Sequence, residues 1–219
     1  MTICFVSDRR RLAGAGAPFV LVRKRLVEHA CRAADAGVDV IQIRERDLEA
    51  AELAAIVADV LEGTRNTRTR VVVNDRLDIA LACGAGGVHL RGDSISVAGA
   101  RQLAPPGFVI GRSVHSVEEA IGADGADYLV AGAVFPSASK PLSTRWMGVD
   151  GLGAIVCTAR VPVLAIGGIS GGRIDAIAAV GAAGFAAIGL FSGTDGSVVA
   201  LRQVVGEARR RFDSVKTAP

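Results

Sequence analysis

Short apolar runs separated by helix-like segments are the feature that most constrains how this chain can fold. Eight such runs, rich in β-branched residues, fall at Ile3–Val6, Val38–Ile43, Val71–Val73, Gly87–Leu90, Val109–Ile110, Tyr128–Val130, Val163–Ile166 and Phe185–Ile188. Apolar strands without alternating polar positions are typical of parallel sheets buried on both faces. The chain is therefore expected to build a parallel sheet that helices cover.

Segments with an apolar spacing near 3.6 lie between these runs, as amphipathic helices require. The clearest are Leu21–Ala36, Glu49–Leu61, Arg76–Cys83, Gly171–Val180 and Val198–Phe212. Eight strand–helix units in 219 residues match a compact (β/α)8 barrel, whereas a doubly wound open sheet of this length usually has fewer strands. Because no linker or low-complexity tract divides the chain, we predict a single-domain α/β TIM barrel over residues 1–219.

Composition narrows the class of partner rather than the fold. The net charge of +3, from 25 basic and 22 acidic residues, is too small to indicate a nucleic-acid partner. The longest uncharged stretch, 176–194, is broken by glycines and indicates helix end, turn and strand rather than a membrane span. Charged residues come too early for a signal peptide, and the four cysteines match no metal spacing. We expect a cytoplasmic protein with buried, reduced cysteines and no membrane partner.

Polar residues cluster directly after the predicted strands. In a (β/α)8 barrel these positions meet at one rim, where active sites lie. Arginine and serine are frequent there, so we expect an anionic ligand, most simply a phosphorylated small molecule. Gly167 and Gly168 follow the seventh strand and Gly189 follows the eighth, where backbone N–H groups of such barrels bind phosphate. Glycines that only shape turns are the alternative.

Two further groups on this rim could bind charge. Gln42, Arg44 and Arg46 alternate along the second strand and are predicted to share a face, which suits an anion. Glu45 and Asp47 as structural partners of the arginines are the alternative. Asn74, Asp75 and Asp93 follow the third and fourth strands, and carboxylates beside a phosphorylated ligand are how Mg²⁺ is usually recruited. Pairing of Asp75 with Arg76 or Arg44, and capping of the next helix by Asp93, stay open.

Proton transfer would need a base, and His115 lies just after the fifth strand. A group with a pKa near ~6.5 can exchange protons at neutral pH, so His115 is a candidate catalytic residue, whereas His89 within its strand is interpreted as structural. Ser116 and Glu119 form a capping-box pattern. Ser113 lies beside His115 at the same rim. After the sixth strand, Ser137, Ser139 and Lys140 could wrap a phosphate or pyrophosphate, in a loop that is long enough to act as a lid or is simply solvated.

These motifs, in this order, resemble the thiamin phosphate synthase and TenI superfamily of (β/α)8 barrels. The resemblance covers nearly the whole chain and is carried by VSDRR (6–10), IQIRERD (41–47), VVNDRLDIALACGAGGVHL (72–90), IGRSVHSVEEA (110–120), GADYLVAGAVFPSASK (125–140) and PVLAIGGI (162–169). It implies thiamin biosynthesis, a phosphorylated thiazole substrate and a homodimer. The synthase joins a hydroxymethylpyrimidine diphosphate to thiazole phosphate and releases pyrophosphate with Mg²⁺, whereas the TenI-like tautomerase moves a proton within a thiazole carboxylate phosphate and needs no cofactor.

By resemblance to the synthase, the site residues take separate roles. The pyrimidine diphosphate would meet Gln42, Arg44, Arg46, Asn74 and Asp75, with Asp75 a Mg²⁺ ligand; the pyrophosphate would meet Ser113, Ser137, Ser139 and Lys140; and Gly168 would help hold the thiazole phosphate.

Three positions of this sequence differ from the synthase pattern, and they bear on whether the protein is a synthase or a tautomerase. The pattern usually has Lys at the position of Arg46, a second metal Asp at the position of Ser94 and a Ser at the position of Gly189. His115 matches the catalytic His of the TenI type, while Asp75 is often absent from that type. The sequence therefore favours a TenI-like tautomerase, with the synthase as the alternative and a non-catalytic barrel that binds thiazole or thiamin phosphate as a regulator as a second alternative.

Overall fold

Eight parallel strands pair in chain order and close into a barrel when β8 returns to β1. The computed structural model describes residues 1–13, 16–137, 146–193 and 196–216. Its strands are β1 (Thr2–Val6), β2 (Val40–Ile43), β3 (Arg70–Asn74), β4 (Gly87–Leu90), β5 (Val109–Val114), β6 (Tyr128–Gly132), β7 (Val163–Ile166) and β8 (Gly184–Ala187). At the closing seam Thr2 lies opposite Gly184 and Phe5 opposite Ala187. The predicted (β/α)8 barrel is confirmed.

Helices cover the outside of the barrel. They are α1 (Arg9–Ala13), α2 (Phe19–Asp35), α3 (Ala50–Thr64), α4 (Leu77–Ala82), α5 (Val97–Leu103), α6 (Val117–Ile121), α7 (Gly148–Thr158), α8 (Ile174–Ala179), α9 (Gly189–Ser192) and α10 (Val198–Lys216), with a 3-10 turn at Gly171–Arg173 before α8. Among the described residues, no helix is long and apolar enough to span a membrane.

The core has two layers, because successive strand residues point to opposite faces. Outward residues such as Ile3 and Phe5 are fully buried against the helices. Inward residues such as Cys4, Val6 and Tyr128 fill the barrel interior. Burial raises the pKa of the Cys4 thiol to about 12, so this cysteine is an inert packing group.

The expectation that all four cysteines are buried was wrong. All four are free thiols, but Cys31 and Cys83 are only partly buried and Cys157 is exposed. Cys157 lies in α7, whose buried residues Leu152 and Ile155 form the face toward the barrel. A cysteine off that face reaches solvent.

The two ends of the chain are joined by Arg209 of α10. Its guanidinium donates to the Met1 carbonyl (3.1 Å), to the Gly37 carbonyl (2.9 Å) and to both carboxylate oxygens of Asp39 (3.0 Å each). Asp39 in turn accepts a hydrogen bond from the Ile3 N–H at 2.7 Å. This cluster fixes the last helix to the start of the first strand.

Candidate active site

Polar side chains replace apolar ones near the carboxyl end of the barrel interior. Gln42 on β2 and Asn74 on β3 are buried, and Gln42 Nε2 donates to Asn74 Oδ1 at 2.9 Å. Each amide retains further donors and acceptors after this bond. The pair therefore places hydrogen-bonding groups on the floor of the barrel mouth.

Three side chains from β4, β5 and β6 form a second hydrogen-bonded group, in which His89 and Tyr128 are buried and Ser113 is half-buried. His89 on β4 contacts the Tyr128 hydroxyl through Nδ1 (3.1 Å) and the Ser113 hydroxyl through Nε2 (2.8 Å). Burial, with smaller contributions from Arg112 and Arg44, lowers the pKa of His89 to about 3, so the imidazole is neutral. His89 therefore holds Ser113, one of the predicted substrate-binding residues, in place.

The arginines that follow β2 lie differently from the prediction. β2 ends at Ile43, so the alternation assumed for Gln42, Arg44 and Arg46 stops before the two arginines. Arg44 is half-buried and Arg46 is exposed. Burial lowers the pKa of Arg44, and the positive charge of Arg46 lowers it further. Within the described part of the chain, neither guanidinium has a carboxylate partner, and two such cations side by side suit an anion.

Glu45 is the structural partner of Arg9, not of Arg44 or Arg46. Its carboxylate is buried and accepts hydrogen bonds from the Ser7 hydroxyl (2.6 Å), the Arg9 N–H (3.1 Å) and Arg9 Nη1 (3.0 Å). Burial still raises the pKa of Glu45. The Arg9 guanidinium also pairs with Asp47 at 2.6 Å. These bonds fix the loop that carries Arg44 and Arg46 against the end of β1.

The two predicted metal ligands face one arginine. Arg91 Nη1 lies 3.4 Å from Asp75 Oδ2, and Arg91 Nη2 lies 2.5 Å from Asp93 Oδ2. The Ser94 hydroxyl donates to the other oxygen of Asp75. Asp75 also has a left-handed backbone, with φ of 66°. The loops after β3 and β4 thus bring Asp75 and Asp93 to the same cation, in an arrangement that the sequence did not indicate.

The alternative structural roles predicted for Asp75 and Asp93, an ion pair with Arg76 and the cap of α5, were wrong. Arg76 pairs with Asp78 rather than Asp75. Ser96, whose hydroxyl accepts from the Gly99 N–H at 3.1 Å, caps α5 in place of Asp93. Neither aspartate is therefore committed to the role that those alternatives gave it.

Mg²⁺ usually takes one or two carboxylates and completes its coordination with water and substrate phosphate oxygens. No three His, Cys, Asp or Glu side chains come together as a metal cage in the ranges that the structure covers. Asp75 and Asp93 contact the same guanidinium, so they are the two carboxylates that a Mg²⁺ ion would meet at this part of the rim.

His115 lies at the mouth and is exposed. Both its backbone N–H (2.8 Å) and its Nδ1 (3.1 Å) contact Oε2 of Glu119. An ionised carboxylate only accepts hydrogen bonds, so Nδ1 carries the proton and Nε2 is left as the basic nitrogen. Ser116 caps α6 by accepting from the Glu119 N–H at 3.2 Å, which confirms one of the two bonds of the predicted capping box; the Glu119 carboxylate accepts from the His115 N–H instead of from that of Ser116. The sequence missed that Glu119 also orients His115, although the spacing of four residues could have indicated it.

A cavity of about 280 Å³ lies where β7 and β8 end. Gly167 and Gly168 line it in left-handed conformations (φ of 100° and 63°), and Gly189 begins α9 at its edge. Ser137 also lines it. The structure thus brings the three predicted phosphate-binding glycines together. Ser139 and Lys140 lie outside the described residues.

Two arginines that sequence reasoning did not select also line this cavity. Arg11 comes from α1, and Arg173 comes from the 3-10 turn before α8. Arg11 follows Asp8 and Arg9 in the first loop, and only its closeness to the predicted rim residues could have indicated it. Arg173 gives no sequence signal, because it lies five residues beyond Gly168.

Comparison with known proteins identifies the family of this chain. The family model described as thiamine monophosphate synthase matches residues 15–191. The thiamine-phosphate synthase of Methanoregula boonei is 42% identical over 182 residues, covering 82% of each chain. That of Chlorobium limicola is 32% identical over 213 residues, covering 96% of this chain and 95% of its own.

Solved structures show the same relationship. The thiamine phosphate pyrophosphorylase of Pyrococcus furiosus superposes with a TM-score of 0.81 at 32% identity, covering 98% of this chain and 96% of its own. A 3-hexulose-6-phosphate synthase, at 20% identity and a TM-score of 0.68, shares the fold alone. On the family model and these relatives, the chain belongs to the thiamine monophosphate synthase family (TMP-TENI).

Proposed function

We propose that this protein is a thiamin phosphate synthase, which joins hydroxymethylpyrimidine diphosphate to thiazole phosphate and releases pyrophosphate. The observation that carries this proposal is the presence of two separate positions for anions on one rim. One is the cavity at Gly167, Gly168 and Gly189, and the other is the pair Arg44 and Arg46, with Arg91 near enough for its charge to act on Arg44. A transfer between a diphosphate and a phosphate needs both positions, whereas a proton shift within one phosphate ester needs a single one. The names of the relatives support the same choice, over the tautomerase that the sequence favoured.

In this proposal some side chains orient the substrates and others stabilise the negative charge that develops on the leaving group. In this reaction the bond between the pyrimidine methylene carbon and the diphosphate oxygen breaks, the diphosphate leaves with the electron pair, and the thiazole nitrogen bonds to the carbon. Arg44 and Arg46 bind the diphosphate and stabilise its growing charge, which is the largest electrostatic demand of the step. Gln42 and Asn74 orient the pyrimidine. Ser113, held by His89, donates a hydrogen bond to the diphosphate.

Asp75 and Asp93 would hold Mg²⁺, with Arg91 released toward the diphosphate. When bound there, Mg²⁺ supplies positive charge to the leaving group. We propose that EDTA abolishes synthesis and that Asp75→Asn raises the Mg²⁺ concentration needed for half-maximal rate by at least about tenfold. Synthesis at full rate in EDTA would contradict this metal site.

The reaction can be tested with purified protein, Mg²⁺ and both substrates. We expect thiamin phosphate and pyrophosphate in equal amounts. Arg44→Ala should lower kcat by about 10²-fold, because an anion-stabilising group of the transition state is lost, while Arg70→Ala, an exposed arginine at the opposite end of the barrel, should not. Binding of thiazole phosphate without any turnover would contradict the synthase and favour the regulator.

A second candidate reaction rests on His115 and Glu119. A positioned imidazole with Nε2 basic is what the thiazole tautomerase needs, and no metal enters that step. If the synthase assay yields no product, the thiazole carboxylate tautomer should be supplied instead. His115→Asn should then lower the rate by about 10²-fold or more, and an undiminished rate would remove His115 from the mechanism.

A further inference from the structure

The cavity at Gly167, Gly168 and Gly189 carries two positive charges and no negative one. Among the described residues that line it, Arg11 and Arg173 are the charged side chains, and the rest are glycine, serine, proline or apolar. A cavity of about 280 Å³ with this lining favours a small anion with an apolar portion. The inference below rests on the proposed function, which places thiazole phosphate here.

Arg11 reaches the cavity from α1 with its stem already fixed. Its backbone N–H donates to the Asp8 carbonyl (3.1 Å), and its Nε donates to Asp8 Oδ2 (3.1 Å). The Nη atoms extend beyond this pair toward α9. Nη1 lies 3.7 Å from the point that a Cβ of Gly189 would occupy, and this is the nearest atom to that point. The guanidinium thus lies over the one residue of α9 that has no side chain of its own.

Arg173 lies on another side of the same cavity and is held more firmly. Its Nη1 donates to the Gly168 carbonyl at 2.7 Å and to the Pro136 carbonyl at 3.3 Å. Its guanidinium also stacks over the Phe135 ring, 4.9 Å from the centroid. These contacts hold Arg173 against the turn that contains Gly168. Arg173 therefore acts as a positioning residue for the backbone N–H groups of that turn.

We infer that Arg11 is a side-chain ligand of the substrate phosphate and selects phosphorylated thiazole over the free thiazole alcohol. The guanidinium offers two Nη groups that Asp8 does not occupy, and such groups bind phosphate oxygens in a fork. Gly189 leaves the space in which the phosphate and the guanidinium meet. A hydroxyl-bearing residue at 189 would compete for the same oxygens.

Steady-state kinetics with both forms of the thiazole tests this role. Arg11→Ala should raise KM for thiazole phosphate about tenfold, leave kcat within about twofold, and leave KM for the pyrimidine diphosphate and for the thiazole alcohol unchanged. Gly189→Ser introduced into the Arg11→Ala protein should recover part of the loss, because the site has room for a hydroxyl. Arg10→Ala is the matched control, since Arg10 lies on the same helix but is exposed and pairs with Asp47.

Calorimetry separates this inference from the proposed reaction. Thiazole phosphate should bind the wild-type protein about tenfold more tightly than it binds Arg11→Ala, whether or not thiamin phosphate is formed. An equal affinity for the two proteins overturns the role of Arg11. An equal loss for thiazole phosphate and thiazole alcohol also overturns it, because the substitution would then have disturbed the cavity rather than a phosphate contact. Loss of turnover in the wild type with the affinity difference intact overturns only the synthase.

Discussion

A single neutral histidine links the stability of this protein to its site. His89 is buried between the hydroxyls of Tyr128 and Ser113 and has a pKa near 3. Gly111, beside it on β5, has no side chain because a Cβ there would stand 2.2 Å from the Tyr128 ring. The contact that orients Ser113 thus depends on a group that must stay unprotonated.

The pKa of His89 predicts how stability changes with pH. Below about pH 6.5 the unfolded chain binds a proton at this residue, while the folded chain keeps it neutral down to about pH 3. The free energy of unfolding should therefore fall as the pH falls through this window, by about 1.4 kcal/mol per unit. Urea unfolding at pH 7 and pH 5 should show a drop about 2 kcal/mol larger in the wild type than in His89→Gln.

Groups other than His89 titrate in the same range, so the comparison between the two proteins is what matters. Burial of His29 lowers its pKa too, and burial raises that of Glu45, but both groups are present in each protein. If the two proteins lose the same stability between pH 7 and pH 5, His89 is not neutral in the folded state.

At the scale of the element, α6 is a short helix whose first turn also holds His115 in position. One carboxylate, that of Glu119, accepts from the His115 N–H and from its Nδ1, while the Glu119 N–H donates to Ser116. A five-residue helix has little stability of its own and depends on such capping. Glu119 therefore supports both the start of α6 and the position of the His115 imidazole.

Two substitutions separate these roles. Ser116→Ala and Glu119→Ala should each lower the free energy of unfolding by about 1 kcal/mol, because each removes a capping contact. Nitrogen NMR of His115 should show a proton on Nδ1 in the wild type and in Ser116→Ala. In Glu119→Ala this preference should be lost. A Nδ1 proton that persists without Glu119 would show that another group orients the ring.

At the scale of the whole molecule, closure of the barrel depends on a close approach between its first and last strands. A Cβ at Gly184 would stand 1.9 Å from the Thr2 carbonyl oxygen, and that atom belongs to the backbone of the partner strand. With a larger residue at 184 the strands can pair in this register only if the backbone at the seam shifts. The seam therefore has no room for a side chain at position 184.

Gly184→Ala should lower the free energy of unfolding by about 1–3 kcal/mol, as overpacking of a tight interior does. Gly206→Ala is the matched control, because nothing lies within 4 Å of its Cβ position in α10 and alanine favours a helix. Chemical unfolding should show this second variant to be more stable than the wild type by up to about 1 kcal/mol. A Gly184→Ala protein as stable as the wild type would show that the seam adjusts freely.

The sequence predicted the barrel because eight apolar runs leave few topologies, and it predicted the rim because strand ends must meet there. The predicted ends of the strands were less accurate. β5 was predicted to end at Ile110 but extends to Val114, because the polar residues Arg112 and Ser113 interrupt its apolar pattern. It could not predict that Arg91 joins Asp75 to Asp93, or that Glu45 binds Arg9. Those pairings depend on where side chains turn after a strand has ended, and periodicity carries no information beyond that point.

The pairing of β8 with β1 also has a consequence for folding during synthesis, because the two strands lie far apart in the sequence. β1 is synthesised well before β8, so the edge of β1 that pairs with β8 has no partner until Ala187 has emerged. At cellular rates of 5–20 residues per second, the apolar edge of Ile3–Val6 stays open for about 10 to 40 s. The Arg209 contacts with Met1 and Asp39 form later still. Until β8 has been made, β1 therefore keeps one sheet edge without a partner, and such an edge is a template for pairing with another chain.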